Sequence, residues 1–400
     1  MHEYIAEPYD VLYFRGNKSF HFGEWYSEGV FPPLPSTFQG FVRTKMLDDM
    51  GWLDSSGIVT KPSGDIAKEV GNDESLPFEI TGPFLGNDND IYFSNPRDLF
   101  RATQAGHTTI CQSVLNSLHN DTESDLDFTF SCAQMPDGKL DKILPPAFIS
   151  LNELVQYREK MEFCISTKEE LLFTEDRVGI GLDKEKKGLK NRQVQTSRFY
   201  VTPYNRLGDG VGLYFNINIK ALMGGTSKLG SESHLVFARK IRGGANSLLE
   251  EKLSPQRAQL NESIFKTRTF RLLLLQPGVF GSGWMPFAFD TTSRKVIATE
   301  PKTRMQLELL SACIGEPFTV SGYSYQSNKE TKKQEGVKLK PAVRAVPAGS
   351  VYLFKIVGSA SDADVQELIA VLDNKKIDNQ QFSNMGFNHT IVACGQDIQL

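Results

Sequence analysis

The sequence has no long apolar run and no export signal at its start. No apolar stretch among the 400 residues approaches the roughly 20 residues that a membrane-spanning helix needs. Met1–Tyr4 lacks the basic and apolar regions that begin a signal peptide. We therefore expect a cytoplasmic protein with no membrane association.

Cysteine and histidine patterns that would indicate a metal site are also missing. The five cysteines are dispersed without any C-x-x-C spacing, which argues against a zinc site and a disulfide framework. The six histidines show no ligand spacing, and no paired-carboxylate or nucleophile motif is evident. We expect no metal, no cofactor and no enzymatic activity. A lone histidine such as His21 or His107 could still act as a general base in RNA cleavage, although surface or packed histidines are more common.

Excess positive charge is absent as well, because the formal net charge is −4. Many nucleic-acid-binding proteins are basic overall. The charge is segregated, however, with acidic stretches at 48–54, 65–74 and 121–127 and basic stretches at 184–192 and 329–344. Local patches set phosphate affinity more than net charge does, so an RNA-binding surface stays possible.

The most informative segment that is present lies near the N-terminus. Aromatic and β-branched residues predict a buried strand at 9–15, and prolines then shape the entry to a helix at 36–50. Ser36 is the predicted N-cap, and Gln39 completes a capping-box pattern. The apolar face of the helix follows i, i+3, i+4 and i+8 spacing: Phe38, Phe41, Val42 and Met46.

The start of this predicted helix is a candidate phosphate site. Free backbone N–H groups at a helix N-terminus attract anions, and Arg43 adds a positive charge one to two turns later. The alternative is a strand and helix packed into a core with no ligand. The residues predicted to bind RNA here are Phe14, Arg15, Ser36, Thr37, Gln39, Gly40 and Arg43.

A second candidate is the basic segment that follows residue 175. Gly179 and Gly181 permit close backbone approach, and the charged side chains could bind a nucleic-acid backbone. The alternative is a solvated basic hairpin loop. The residues predicted to bind RNA in this segment are Arg177, Gly179, Lys184, Lys186, Lys187, Lys190 and Arg192.

The C-terminal third predicts a β-α-β-β-α-β order, which is that of a ferredoxin-like unit. Apolar runs indicate strands at 269–275, 312–325, 349–357 and 387–394, and Ser361 caps a helix with regular apolar spacing. The 302–311 segment is the candidate for the first helix.

The N-terminal part repeats this theme with long insertions. Strand candidates lie at 80–85, 161–166, 171–173, 198–203 and 211–219, and 242–263 resembles a solvated connector. The predicted fold class is α+β, with two ferredoxin-like (RRM-like, βαββαβ) domains at 1–262 and 263–400 and long loop insertions in the first.

Seven segments, in the same order, resemble one family over nearly the whole chain. They are 10–15, 31–43, 82–85 with 96–99, 177–180, 274–286, 346–352 and the terminal Met385-Gly386-Phe387-Asn388. The chain resembles the third subunit of the Cmr complex, the type III-B CRISPR RNA-guided effector, among the repeat-associated (RAMP) proteins.

The resemblance implies a non-catalytic subunit. Such a subunit would hold the repeat-derived 5′ tag of the CRISPR RNA (crRNA), with Gly386 among the contacts, and dock the large polymerase-like subunit and the backbone RAMP subunit. Two departures from the family pattern, at 229–234 and at Asn388, put RNA contacts there in doubt. The alternatives are a metal-independent crRNA-processing endoribonuclease of the same superfamily and a purely protein-binding scaffold subunit.

Overall fold

The computed structural model describes most of the chain. The described residues are 1–16, 29–53, 66–71, 76–104, 107–116, 132–134, 147–159, 162–163, 171–182, 194–219, 222–292, 295–327, 334–378 and 380–397. The first elements in chain order are β1 (His2–Pro8), α1 (Pro35–Asp49), α2 (Ile66–Glu69), β2 (Ile80–Gly86), β3 (Ile91–Ser94), β4 (Leu99–Gln104), β5 (His107–Gln112), β6 (Val114–Asn116), β7 (Cys132–Gln134), β8 (Phe148–Ser150), α3 (Leu151–Glu159) and β9 (Glu162–Phe163).

The remaining elements complete the first sheet and form the second. The next are β10 (Leu172–Leu182), β11 (Val194–Leu207), β12 (Gly212–Ile217), β13 (Gly225–Leu229), β14 (His234–Gly243), α4 (Leu248–Leu253) and α5 (Arg257–Thr267). The last are β15 (Thr269–Leu274), β16 (Phe289–Thr292), β17 (Lys295–Thr299), β18 (Gln306–Cys313), β19 (Phe318–Val320), β20 (Tyr323–Ser327), β21 (Gln334–Leu339), β22 (Val343–Ala345), β23 (Val351–Ile356), α6 (Asp362–Leu372), β24 (Lys375–Lys376), α7 (Gln380–Met385) and β25 (His389–Cys394).

Two seven-stranded antiparallel sheets form the body of the protein. The N-terminal sheet has the order β13-β14-β1-β12-β2-β3-β8, and the C-terminal sheet has the order β16-β17-β18-β23-β15-β25-β24. With helices packed on antiparallel sheets, the α+β class predicted from the sequence is confirmed.

Helix α1 covers one face of the N-terminal sheet. Phe38 and Phe41 of the helix contact the ring of Phe215 in β12, with ring centroids 5.0 and 6.1 Å apart. Val42 and Met46 are buried in the same cluster, so the apolar stripe predicted for this helix is confirmed. Aromatic pairs at these separations stabilise a core beyond the area that they bury.

The other faces of the two sheets share a third apolar cluster. Alternation along each strand sends successive side chains to opposite faces, so Ile5 and Phe84 point away from α1 while Leu273 and Ile391 point away from α6. All four lie in one buried cluster, to which α3 and α4 also contribute. The core is therefore continuous between the two sheets.

Buried ion pairs join the N-terminal and C-terminal parts of the chain. Arg271 of β15 lies with its Nε 3.0 Å from Oδ2 of Asp98, and the Tyr157 hydroxyl donates to the same carboxylate at 3.0 Å. Arg158 of α3 pairs with Asp373 at 2.8 Å. All but Tyr157 are charged groups with 1% exposure or less, and such groups require this pairing to be buried at all.

Several strand and helix predictions match the structure. The strands expected at 80–85, 211–219, 269–275, 349–357 and 387–394 correspond to β2, β12, β15, β23 and β25. The capped helix after residue 361 is α6, with the Ser361 and Asp364 side chains forming a capping box. Shorter or partial matches occur at 161–166, 171–173, 198–203 and 312–325.

Three element predictions were wrong. The first strand is 2–8, whereas 9–15 is irregular, with only 11–14 buried and single bridges at Leu12 and Arg15. The 302–311 segment is mainly strand β18, because the buried Leu307 and Leu309 alternate with less buried residues at a period of two. The supposed connector at 242–263 contains α4 and most of α5, whose apolar residues Leu249, Leu253 and Leu260 are buried.

The predicted division into domains at 262 and 263 stays a prediction. That division falls inside α5, Arg257–Thr267.

Candidate nucleic-acid interface

The first turns of α1 line a groove of about 480 Å³, which we call the α1 groove. Opposite the helix lie residues from the 320–343 region and from α7. The lining residues are Ser36, Thr37, Gln39, Gly40, Arg43, Thr44, Leu47, Val320, Ser321, Gly322, Lys340, Pro341, Val343, Gln381, Phe382 and Met385. Five residues predicted from the sequence therefore meet at one site.

The helix begins one residue earlier than predicted, and the predicted cap is wrong. Leu34 is the N-cap, Pro35 occupies the first helical position, and none of the described side chains caps the helix. Proline is favoured at this position because its fixed φ suits the helix and its missing N–H needs no partner. The N–H groups of Thr37 and Phe38 both donate to the Leu34 carbonyl. Only the Ser36 N–H lacks an acceptor among the described residues at this helix start. The helix start therefore offers fewer free backbone N–H groups to a phosphate than the sequence predicted.

Gln39 is the most informative residue of the groove. It is only 5% exposed, and its Nε2 has no hydrogen-bond partner within the described part of the chain. A buried amide donor without a partner costs about 1–3 kcal/mol. Gln39 therefore places an amide with an unused hydrogen-bond donor in the wall of the α1 groove.

Gly40 leaves open space beside Gln39. A Cβ atom at this position would have no described atom within 4 Å. Glycine inside a helix destabilises it by about 1 kcal/mol relative to alanine, and packing within the described chain does not require glycine here. The missing side chain lets a ligand approach the helix backbone closely.

Two cationic side chains give the groove its charge. Arg43 donates from Nη2 to the Gly71 carbonyl at 2.8 Å, which fixes its guanidinium in the wall. Lys340 lies across the groove, and its backbone N–H donates to the Gly322 carbonyl at 2.7 Å. Lys340 is not among the residues predicted to bind RNA, although the basic stretch at 329–344 contains it. With the hydroxyls of Ser36 and Thr37, these groups can bind phosphate oxygens and the polar edges of bases.

Gly386 lies beside the groove, but its own packing explains the glycine. Its φ is +113°, and a Cβ there would lie 2.7 Å from the Gly82 carbonyl oxygen and 3.4 Å from the Pro35 Cβ. Asn388, where the sequence departs from the family pattern, is fully buried. Its side-chain amide accepts from the Val279 N–H and donates to the Val279 carbonyl. The Asn388 side chain is therefore engaged within the protein.

Arg177 lies outside the α1 groove, in a network of opposite charges. Its guanidinium pairs with Glu175 at 2.7 Å and with Asp10 at 3.1 Å, and it lies 4.9 Å from the centre of the Tyr204 ring. Arg206 pairs with the same two carboxylates. Hydrogen bonds from the two arginines lower the pKa of Asp10. The positive charge of Arg177 is thus compensated within the chain, which weakens its case as a phosphate ligand.

The other predicted residues are distributed as follows. Phe14 is 4% exposed and packs in the core near Phe31, so its ring has no free face for a base. Arg15 is exposed. Gly179 pairs across the hairpin with Tyr200, whose ring occupies the space of a Cβ. The basic residues Lys184, Lys186, Lys187, Lys190 and Arg192 lie outside the described residues, as does His21.

The described part of the chain holds no cluster of three or more His, Cys, Asp or Glu side chains that could bind a metal ion. No helix among these residues is long and apolar enough to cross a membrane. His389 is fully buried, and its burial, followed by the nearby Lys376 and Lys375 charges, lowers its pKa to about 3. None of the histidines that the structure describes lines the α1 groove, and His107 lies in β5.

The fold and the α1 groove define an α+β protein with a cationic groove between a helix and a distant part of the chain. By sequence, the chain belongs to the family described as CRISPR-associated protein (Cas_Cmr3), which it matches over residues 4–393. The resemblance inferred from the seven segments is therefore confirmed at the level of the family. No curated protein matches this chain.

Two solved structures are similar to this chain over most of its length. One is a chain of the type III-B Cmr-beta complex bound to cognate target RNA, with 12% identity, a TM-score of 0.45 and coverage of 97% of this chain and 96% of that one. The other is from the same complex with target RNA and AMPPnP, with 14% identity, a TM-score of 0.40 and coverage of 88% and 86%.

Proposed function

We propose that this protein is a non-catalytic subunit of a type III-B CRISPR effector complex and binds the 5′ repeat-derived tag of the crRNA in the α1 groove. It also docks the large polymerase-like subunit and the backbone RAMP subunit. Membership of the Cas_Cmr3 family supports the role in the complex. The α1 groove supports the RNA contact, because five of the residues predicted to bind RNA line it: Ser36, Thr37, Gln39, Gly40 and Arg43.

The observation that carries the proposal is that Gln39 and Gly40 lie next to each other in the wall of the α1 groove. A single-stranded RNA presents unpaired base edges and phosphates, which need donors and room for close approach. Gln39 offers a buried amide donor without a partner among the described residues, and Gly40 leaves the helix backbone accessible. Arg43 and Lys340 add charge on both sides of the same groove.

We also infer that each sheet contains a ferredoxin-like unit. Four neighbouring strands in each sheet, β14-β1-β12-β2 and β25-β15-β23-β18, have the spatial order fourth, first, third, second, as in a βαββαβ unit. Each unit has one of the helices of the βαββαβ order at the expected place in the chain: α1 lies between β1 and β2, and α6 lies between β23 and β25. The first unit carries the long insertions, since β3 to β11 lie between β2 and β12 along the chain.

A pair of matched substitutions tests the RNA-binding role. Arg43→Gln removes a groove cation, and we expect guide-RNA retention in the assembled complex to fall about tenfold, which corresponds to about 1.4 kcal/mol. Arg177→Gln removes a cation of the same type whose charge Glu175 and Asp10 already compensate, so retention should change less than twofold. Equal effects of the two substitutions, or no effect of either, would contradict binding in the α1 groove.

The absence of catalysis is tested separately. Purified protein incubated with repeat RNA and EDTA should leave the RNA intact, whereas cleavage would favour the endoribonuclease alternative.

Crosslinking within the assembled complex should join the guide RNA to the lining of the α1 groove. A complex in which the guide RNA crosslinks only to other subunits would favour the protein-binding scaffold.

A further inference from the structure

A second cavity, of about 340 Å³, contains Arg97, which has no counterion among the described residues. We call it the Arg97 pocket. It lies where the N-terminal and C-terminal parts of the chain meet, and its walls include Phe31, Phe148, Pro277, Phe318 and Pro347. Cavities of this size with mainly apolar walls and few polar groups are typical of binding sites.

Arg97 is held firmly in place at this pocket. Its backbone N–H donates to the Gly349 carbonyl at 2.8 Å. Its guanidinium lies against Gly315. A Cβ atom added at Gly315 would be only 2.4 Å from the Arg97 Cζ, so the glycine makes room for the guanidinium. The side chain therefore reaches a defined position between two backbone segments that are far apart in sequence.

The guanidinium has no partner in the described part of the chain. Its Nε is buried without a hydrogen-bond acceptor, and no described carboxylate forms an ion pair with it. Burial lowers the pKa of Arg97, with no opposing contribution from a nearby acid. An arginine in an apolar site normally pairs with a carboxylate or a phosphate, often through two parallel hydrogen bonds.

We propose that the Arg97 pocket receives an apolar segment of a partner protein that carries one carboxylate side chain, which pairs with Arg97. A single cation among apolar walls suits a single anionic group within a hydrophobic segment. An RNA strand carries a phosphate at every nucleotide and is held by several cations in succession, which this pocket does not provide. The inference rests on the proposed role in a multisubunit complex, but it concerns a site separate from the α1 groove.

A structural role and a docking role for Arg97 predict opposite effects on stability. Arg97→Met replaces an uncompensated, partly buried cation by an apolar chain of similar length, so the thermal midpoint of the isolated protein should stay constant or rise. Lys302→Met, which removes an exposed cation outside the pocket, serves as the control. A clear drop in the midpoint for Arg97→Met alone would assign Arg97 to internal packing and overturn the proposal.

The docking partner is identified in the assembled complex. A photo-crosslinking benzoylphenylalanine replaces Ala147, an exposed residue at the pocket wall, and mass spectrometry locates the crosslink. We expect a segment of another subunit with Asp or Glu among apolar residues, and at least tenfold less crosslink with Arg97→Met. Exchanging the charges, with Arg97→Glu and the partner carboxylate changed to arginine, should restore it.

Several outcomes would overturn the proposal. These are a crosslink to RNA, a crosslink back to this chain, no crosslink to another subunit, and a yield that Arg97→Met leaves unchanged. Guide-RNA retention is measured in the same samples. Arg97→Met should keep the guide RNA, whereas Arg43→Gln should lose it, so failure of the docking proposal and failure of the RNA-binding proposal give different results.

Discussion

At the scale of single residues, replacing Gly40 should change the stability of the protein and its RNA binding in opposite directions. Gly40→Ala adds a methyl group into open space on the wall of the α1 groove and improves helix propensity. We expect the free energy of unfolding in urea to rise by about 0.5–1 kcal/mol. Guide-RNA retention should nevertheless fall, because the methyl group occupies the space through which RNA approaches the helix.

The matched control for Gly40→Ala is Glu262→Ala, at an exposed position of α5 outside the groove. This substitution should leave RNA retention unchanged. If Gly40→Ala stabilises the protein without weakening RNA retention, close approach at residue 40 plays no part in binding.

His389 gives a pH-dependent prediction at the same scale. Its pKa is about 3 in the folded protein and about 6.5 in an unfolded chain. Below pH 6.5 the unfolded chain binds a proton that the folded protein excludes, so this contribution to stability is complete above pH 6.5 and decreases as the pH falls towards 3. Between pH 7.5 and pH 5.5 the loss should be about 1.4 kcal/mol.

His389→Gln tests this contribution. Urea unfolding of the wild type and the variant at pH 7.5 and 5.5 should show a smaller pH dependence in the variant. An identical slope in both proteins would mean that His389 is accessible to protons in the folded state.

At the scale of secondary-structure elements, two serines near helix starts behave differently. Ser361 caps α6, accepting from the Asp364 N–H while Asp364 bonds back to the Ser361 N–H. Ser36 caps nothing, because Pro35 starts α1 and Leu34 takes the N-cap. Ser361→Ala should therefore lower the free energy of unfolding by about 1 kcal/mol, and Ser36→Ala should change it by less than half of that. A comparable loss for Ser36→Ala would indicate a stabilising contact for its hydroxyl.

The same comparison shows what the sequence could predict about elements. The helix at 361 was predictable because its cap and its apolar spacing agree. The 302–311 segment was misread because three leucines in a short run fit either period, and pairing with β23, some 40 residues away, decides for a strand. Five of the sixteen lining residues of the α1 groove were predictable from 36–43, whereas Lys340 and Phe382 join it only through tertiary packing.

At the scale of the whole molecule, the two parts of the chain share their core. The cluster between the sheets takes residues from both, and Arg271 and Asp98 form a buried pair across them. Arg158 and Arg257 both pair with Asp373, which is fully buried. Whichever boundary separates the domains, these contacts couple their folding.

We therefore expect the protein to unfold in one cooperative step, with the fragments 1–262 and 263–400 each failing to fold alone. Separation would expose the shared apolar cluster and leave Asp98 without Arg271.

In the intact chain, Arg271→Met leaves a buried carboxylate without its cation and should lower the free energy of unfolding by about 3–5 kcal/mol. Adding Asp98→Asn should recover part of that loss, because the uncompensated charge is then gone. Urea unfolding followed by both tryptophan fluorescence and circular dichroism measures each quantity. Two separate transitions, or an independently folded 263–400 fragment, would show that the sheets are autonomous and that the buried pairs only align them.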